Sequence, residues 1–504
     1  MGVAGSTCLR ILKTLGHYLL ALFFLSTLPA CSPRIINEEN SFAVSKPLGD
    51  ATTYTFANWV SKDHNPALTP DLIIVTLSGG GIRAAALAAS TLNELRKFTI
   101  NGHPLTDNII LISSTSGGSI AAGYIAAHGF DHYADFHRDF LEKNNSLGLF
   151  FSGLGPRLIN DRSAILQDYM EKRFALNQLT FDQLLKKPDA PFFVFNSTDV
   201  VGGHVFRFTQ HDFNLICTDV GKMPISSGMA ASSALPFVLT DLELKNHWDT
   251  CGLQGYKDSN TGDTGWYLWA SAAAEARYRE QFVIAYDGID NNLVRRRPQY
   301  LHLADGGMVD NLGARAIAEV VDIDDMGSIS ELIPTNNPHM PTIRQILIIE
   351  VNARSEPGDP SLDAHRGSPG LVPMVGIVTG IPIDSTTSLS SFMSDVAWAS
   401  DVSGGKYVKD GMILKTQIDF DLIPDSEDSL RHDLKAIGMG FTLSTDELKA
   451  LEKASRVLLH NNPCFARFIS QSGATASNYV LPDAVGKHGY PFDCPRLIED
   501  GGGF

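Results

Sequence analysis

Leu72-Ile73-Ile74-Val75-Thr76-Leu77-Ser78-Gly79-Gly80-Gly81-Ile82-Arg83 is the stretch that decides the fold class of this 504-residue chain. A short run of apolar and β-branched residues suits a strand buried on both faces. The glycine triplet then breaks the run, and the Ala-rich stretch from Arg83 to Lys97 carries helical spacing. Strand, glycine turn and helix together are the unit from which parallel sheets are assembled. The unit recurs at once: Ile109-Ile110-Leu111-Ile112-Ser113 leads to Gly117-Gly118 and an Ala-rich helix through Ala127. Apolar runs at 192–196, 299–304 and 345–351 continue the alternation, and no solenoid-type repeat is visible. The expected class is α/β with a mainly parallel central sheet.

Composition agrees with a folded protein. Hydrophobic residues make up 44% of the chain and charged residues 19%, enough for a sizeable core. Forty basic residues against 56 acidic ones leave a formal charge of −16, which opposes non-specific binding to nucleic acid or to anionic lipid. Membrane contact therefore needs an anchor. One is offered at the start of the chain, where Arg10, Lys13 and His17 precede an apolar run from Tyr18 to Leu28 that is too short to span a bilayer. The run closes on Leu28-Pro29-Ala30-Cys31, which resembles the lipobox of bacterial lipoproteins, although Pro29 departs mildly from it. That resemblance implies cleavage after residue 30, lipidation of Cys31 and, with Ser32 next, delivery to the outer membrane. Cleavage removes two basic residues and no acidic one, deepening the charge from −16 to −18.

Four cysteines then remain besides Cys31: Cys217, Cys251, Cys464 and Cys494. Three pairings are possible in an oxidising compartment; the nearest in sequence, Cys217 with Cys251 and Cys464 with Cys494, is the one expected, with free buried thiols as the alternative.

Three elements carry chemistry. Ser113-Ser114-Thr115-Ser116-Gly117-Gly118 lies at a strand-to-helix junction, where a nucleophilic serine on a sharp turn needs small neighbours. Ser116 fits that place; Ser114 stands where G-x-S-x-G has its first glycine. An N-cap or anion loop is the other reading of these residues. Ser78-Gly79-Gly80-Gly81 also ends a strand, and consecutive glycines let N–H groups approach a developing oxyanion. A dinucleotide loop would need Gly at position 84, which is Ala84, and no Walker Lys-Ser/Thr follows. Arg83 either orients an anionic substrate group or braces the loop. Asp305-Gly306-Gly307 follows the run Tyr300 to Ala304, and a carboxylate at a strand end lies at the edge where α/β sites assemble; an ordinary turn aspartate is the alternative.

In this order the three motifs resemble the patatin-like phospholipase family, and the G-G-G-x-R form of the loop is similar to its cytosolic calcium-activated branch. Asn196-Ser-Thr-Asp199 and Ala231-Ser-Ser-Ala-Leu-Pro236 look like two further family blocks, so the resemblance spans about residues 70 to 320. It implies a three-layer α/β/α fold and a dyad without a third member, with Ser116 as nucleophile and Asp305 as base. Backbone donors at Gly79, Gly80, Gly81 and Gly117 would hold the oxyanion, with no metal or cofactor. The implied substrate is a phospholipid, lysophospholipid or simpler carboxylic ester, cleaved through an acyl-enzyme. Transfer to an alcohol instead of water is the alternative enzyme, and a decayed elbow marked by Ser114 would leave a lipid-binding lipoprotein. A histidine triad would have to draw on His204, His211 or His302, and His302 shares the strand parity of Ala304 rather than standing at the strand end.

Other signals are set aside. His132 and His137 are five apart, not on one helical face, and the acidic stretches near Asp258 and Asp322 lack a calcium loop's spacing. Arg295-Arg296-Arg297 reads as a solvated basic turn. The expected organisation is a signal segment 1–30, a lipid-anchored tether 31–65, a catalytic domain 66–350, and an extension 351–504 packed on it. An insertion at 245–298 holds Trp248, Trp266 and Trp269, which either form a lid or pack on the domain body.

Overall fold

The structure, a computed structural model, describes residues 34–38, 53–64, 67–145, 161–236, 238–247, 283–286, 293–296, 298–315, 317, 340–341, 343–354, 386–387, 390–391, 412–438 and 440–480. Its centre is an eight-stranded sheet: β1 (Asp71–Leu77), β2 (Ile109–Thr115), β3 (Phe192–Asp199), β4 (His204–Arg207), β5 (Leu242–Lys245), β6 (Tyr300–Asp305), β7 (Gln345–Asn352) and β8 (Met412–Asp419). The order across it is β8-β7-β1-β2-β3-β6-β5, with β4 also paired to β3. The expected α/β class holds. Five strands, β8 to β3, run parallel, and β4, β5 and β6 are antiparallel to their neighbours. Strands β1, β2, β3 and β7 are buried at every residue, which is why their sequences read as continuous apolar runs without alternation.

Helices flank the sheet. The parallel step from β1 to β2 passes through α2 (Gly81–Arg96), after the short α1 (Phe56–Val60), and the step from β2 onward begins with α3 (Gly117–His128). Helix α4 (Arg162–Arg173) packs against α5 (Ile225–Ser232), and α5 lies on β3 and α3. The C-terminal part supplies β8 and the helices α6 (Asp428–Ala436), α7 (Thr445–His460) and α8 (Pro463–Ser472).

Helix α7 follows directly from its sequence. Ser444 Oγ accepts the Glu447 amide at 3.2 Å while the Glu447 carboxylate accepts the Ser444 amide at 2.6 Å, a reciprocal capping box. Leu448, Leu451, Ala454, Leu458 and Leu459 then fall on one face and are buried. That face packs on α2, where Thr91 Oγ1 donates to Ser455 Oγ at 3.2 Å and His460 meets Glu94 at 2.9 Å.

The tether expected over residues 31–65 is corrected in part. Tyr54 is buried and donates its hydroxyl to the Phe193 carbonyl at 2.9 Å, and Trp59 Nε1 donates to the Ala190 carbonyl at 2.9 Å. Asn37 is fully buried, bonding Thr218 and both main-chain groups of Lys245. The polar composition of the segment hides three aromatic anchors, Tyr54, Phe56 and Trp59, which belong to the core.

Residues 1–30 and Cys31 lie outside the described residues, as do Trp248, Trp266, Trp269 and the acidic stretches near Asp258 and Asp322. Within the expected insertion, the described residues include a hairpin pairing Val283–Tyr286 with Leu293–Arg296; Arg297 and the side chains of Arg295 and Arg296 lie outside the description. Cys217 and Cys464 are buried and disulfide-bonded, while Cys251 and Cys494 lie outside the described residues.

Because β8 and α7 complete the same sheet and core as β1 and α2, the C-terminal part should unfold with the rest. Leu459→Ala is expected to cost about 2–5 kcal/mol, the range for a fully buried leucine, and to shift a single denaturant transition. A separate early transition confined to the C-terminal helices would contradict this.

Candidate active site

Ser116 follows the last residue of β2 and precedes the first residue of α3. Its backbone has φ 52° and ψ −120°, a conformation that costs a non-glycine residue free energy and that a nucleophile elbow imposes. A buried lattice of serines holds it. The Ser116 amide donates to Ser232 Oγ at 2.9 Å, and Ser233 Oγ donates to the Ser116 carbonyl at 3.1 Å. Ser119 Oγ bridges Ser232 Oγ at 2.8 Å and Ser114 Oγ at 3.0 Å, and Ser114 Oγ donates to the Val194 carbonyl at 3.1 Å. Ser114 therefore has a structural use: its Cβ is accommodated on β2 and its hydroxyl ties the elbow to β3.

Two glycine turns meet beside Ser116. A Cβ on Gly117 would stand 1.9 Å from the Gly81 carbonyl oxygen, and one on Gly118 would stand 2.5 Å from the Leu77 carbonyl oxygen. Gly80 and Gly81 have φ of 136° and 63°. The amide of Gly79 is committed to the Asn311 carbonyl at 3.0 Å, and that of Gly118 to the Ser78 carbonyl at 3.2 Å. The amides of Gly80, Gly81 and Gly117 donate to no protein group among the described residues. Of the four expected oxyanion donors, Gly79 is thus occupied by Asn311. The other three face the junction of two helix N-termini, where the dipole favours an anion.

Asp305 completes the group. Its Oδ2 accepts the Ser116 hydroxyl at 2.6 Å, and its Oδ1 accepts the Gly307 amide at 2.8 Å. Burial pushes its carboxyl up to about 6, against the smaller opposing effects of those two hydrogen bonds. The carboxylate does stand at a strand end, but the strand is antiparallel to β3. Strand β3 runs on past the level of Ser116, and β6 descends along this overhang, pairing Leu303 with Asp199 and Asp305 with Ser197. The two additional blocks of the motif set secure this arrangement: Thr198 Oγ1 donates to the Asp305 carbonyl at 2.9 Å, and the Asp305 amide donates to the Ala234 carbonyl at 3.0 Å.

The histidines are elsewhere. His302 is three residues before Asp305 and its ring turns to Asp241, at 2.5 Å, and Glu243, at 3.7 Å. Those two carboxylates hold its ring pKa above the ordinary value. His204 faces Asp199, and His211 is buried, its pKa pushed down to about 4 by desolvation. The donors of Asp241, Glu243 and His302 lie within 4.8 Å of one another, close enough to hold a metal ion. Strand register brings them together from residues sixty apart in sequence, a juxtaposition that spacing alone does not reveal. Arg83 is 1% exposed and donates to the Ile437 carbonyl, behind the glycine turn rather than in front of it. Sequence reading missed Ser119 and gave no role to Ser232, although it marked the block that holds it, or to Asn311; their roles arise from tertiary contact.

The glycine contacts give a direct test. Gly117→Ala is expected to destabilise the protein by on the order of 2–3 kcal/mol, because backbone must move to admit the methyl group. Gly438→Ala, where a Cβ meets nothing within 4 Å among the described residues, should stay within about 0.5 kcal/mol. Chemical denaturation of both variants decides it; equal stabilities would refute the close approach.

Comparison with solved structures finds similarity to human GIVD cytosolic phospholipase A2, 11% identical, with 62% of this chain and 49% of that one covered and a TM-score of 0.29. The chain thus spans about half the length of that enzyme. A complex of the same human enzyme with methyl gamma-linolenyl fluorophosphonate and terbium chloride is 12% identical, with 84% and 62% covered and a TM-score of 0.33. VipD from Legionella pneumophila is 10% identical, with 82% and 69% covered and a TM-score of 0.29. No curated protein matches the chain. The family model described as patatin-like phospholipase matches residues 75–318, the stretch that holds both glycine turns, Ser116, the two additional blocks and Asp305. The chain therefore carries a domain of the patatin-like phospholipase superfamily.

Proposed function

We propose that the protein is a serine acyl hydrolase acting on lipid acyl esters, with phospholipid, lysophospholipid or simpler carboxylic esters as substrate class. The observation that carries this reading is the 2.6 Å hydrogen bond from Ser116 Oγ to a fully desolvated Asp305 carboxylate, at a positive-φ elbow. The superfamily assignment supports the same class.

In this reading Asp305 takes the Ser116 proton as Oγ attacks the ester carbonyl carbon. The carbonyl oxygen gains the negative charge, next to the amides of Gly80, Gly81 and Gly117. Collapse of the tetrahedral species breaks the bond to the alcohol, and Asp305 returns the proton to that leaving oxygen. Water then attacks the acyl carbon and gives a proton to Asp305; collapse breaks the bond to Ser116 Oγ, which takes that proton back from Asp305, and the fatty acid leaves. A carboxylate of ordinary pKa is a poor base for serine; burial raises Asp305 to about 6 and brings it closer to the working range.

The chain start is proposed as a lipoprotein signal with Cys31 as the lipidated residue, which supplies the attachment that a charge of −16 opposes. Outer-membrane placement belongs to the same proposal. For the disulfides we propose Cys217 with Cys251 and Cys464 with Cys494. The His247 amide donates to the Ile216 carbonyl at 3.0 Å, bringing the chain four residues before Cys251 beside Cys217. Tyr479 packs its ring on Phe465, next to Cys464, fifteen residues before Cys494. Non-reducing peptide mapping should recover these two pairs and no crossed pair.

A fluorophosphonate probe should label the purified protein at Ser116, with labelling and ester turnover abolished in Ser116→Ala and reduced at least about 10²-fold in Asp305→Asn. Labelling that survives in Ser116→Ala, or wild type that neither labels nor turns over esters, would sink the reading.

Turnover should rise with pH through about 6 as Asp305 ionises, then level off. Stability should move the other way. A carboxyl whose folded pKa of about 6 exceeds its ordinary 3.8 favours folding most below the unfolded value, and that contribution is lost as pH rises through 6. Asp305→Asn does not titrate, so its unfolding free energy relative to wild type, measured by chemical denaturation, should rise from pH 5 to pH 8 by about 1–1.5 kcal/mol. A constant difference would contradict the raised pKa.

A further inference from the structure

We infer that Arg83 is a positioning residue of the oxyanion loop, clamped by a strap from the C-terminal part of the chain, and that it does not contact a lipid headgroup. The inference deepens the hydrolase reading, since it takes Gly80 and Gly81 as oxyanion donors.

The strap consists of Ile437, Gly438, Gly440 and Phe441, between the end of α6 and the cap of α7 and outside the family match of residues 75–318. Three attachments hold it across the start of α2. The Arg83 guanidinium donates to the Ile437 carbonyl, the Ile82 amide donates to the Gly440 carbonyl at 3.0 Å, and Asn145 donates its main-chain and side-chain N–H groups to the Phe441 carbonyl, each at 3.3 Å. The Gly440 backbone lies so close to Gly81 that a Cβ there would stand 2.9 Å from the Gly440 oxygen. One of the free amides at the N-terminus of α2 is thereby spent on the strap, and those of Gly80 and Gly81 are left to point elsewhere.

Arg83 occupies an electrostatically poor place. It sits in the first turn of α2, where the helix dipole disfavours a cation, and among the described residues no carboxylate pairs with it. Its Nε is buried without a partner, and its Nη2 lies 3.4 Å from where a Gly80 Cβ would be. At 1% exposure no phosphate reaches it unless the strap is displaced. A cation kept there against the cost of burial acts on its neighbours, with Gly80 on one side and the strap on the other. It sets the direction of the Gly80 and Gly81 N–H groups and adds positive potential behind them.

The test compares wild type, Arg83→Met and Arg83→Lys in the full chain, with p-nitrophenyl butyrate as an ester lacking phosphate and with phosphatidylcholine in neutral detergent micelles. Hydrogen exchange is followed for the peptide containing Gly80 to Arg83. Arg83→Met is expected to lower kcat by about 10- to 100-fold, equally on both substrates, with KM within about twofold. Exchange at Ile82 should quicken while β1 stays protected, and Arg83→Lys should recover part of kcat on both substrates. A loss confined to phosphatidylcholine, or one that falls in KM, overturns the inference in favour of headgroup binding. Unchanged kcat and unchanged exchange overturn it as well. Should Arg83→Met fail to fold, Arg83→Lys is judged by the same substrate comparison. If wild type turns over neither ester, the hydrolase reading fails while the exchange measurement still decides the clamp: protection at Ile82 that is independent of Arg83 overturns it.

Discussion

The molecule is organised around a contact between two pieces of main chain. The Gly81 carbonyl and the Cα of Gly117 approach so closely that no side chain fits between them. This approach is possible because β1 and β2 are neighbouring parallel strands and their following turns emerge at the same sheet edge. Both turns must then be free of Cβ atoms, and both helices must begin within a few ångströms of each other. The serine elbow, the free amides and the strap are all consequences of that one close packing. It also explains why the sheet core has to be dry and regular: the register of Thr76 with Ser113 and Leu77 with Ser114 fixes the turns to a fraction of a residue.

Much of this was readable in residue order. The apolar runs at 72–77, 109–113, 192–196 and 345–351 became strands because each is rich in β-branched or aromatic residues. The capping pair Ser444 and Glu447 marks the start of α7 in residue order. What escaped had weak local signals. Ile413-Leu-Lys-Thr-Gln-Ile-Asp419 alternates in burial as an edge strand does, and its place beside β7 is a long-range fact. Tyr54 and Trp59 sit in a polar stretch whose average composition masks them. The carboxylate was legible as a strand-end residue, yet its direction of entry was not. Strand direction follows from pairing with the overhang of β3, a property of the tertiary arrangement and not of Tyr300 to Asp305 themselves.

The site concentrates features that work against stability. A serine held at φ 52°, a carboxylate raised to about 6 by burial, and a guanidinium with an unpartnered Nε each cost free energy in the folded state. They are offset by a broad core in which nearly every residue of four strands is buried, and by a C-terminal part that adds a strand and three helices to it. The serine lattice from Ser114 to Ser233 shows the same economy at short range. Each hydroxyl in it satisfies another buried polar group, so strain at the elbow is held by several modest bonds instead of one strong one.

The antiparallel entry of β6 has a further consequence for how the chain tolerates change. Lys245, at the end of β5, is paired directly with Tyr300, at the start of β6. The two ends of the intervening segment are therefore adjacent whatever lies between them, and Tyr300 is five strand residues from Asp305, roughly 17 Å by ordinary strand rise. Loop-closure entropy grows only slowly with length, so a change of length in this connection costs little and leaves the strand that carries the carboxylate in place. The ladders on either side, and not the intervening segment, keep Asp305 in register with Ser116.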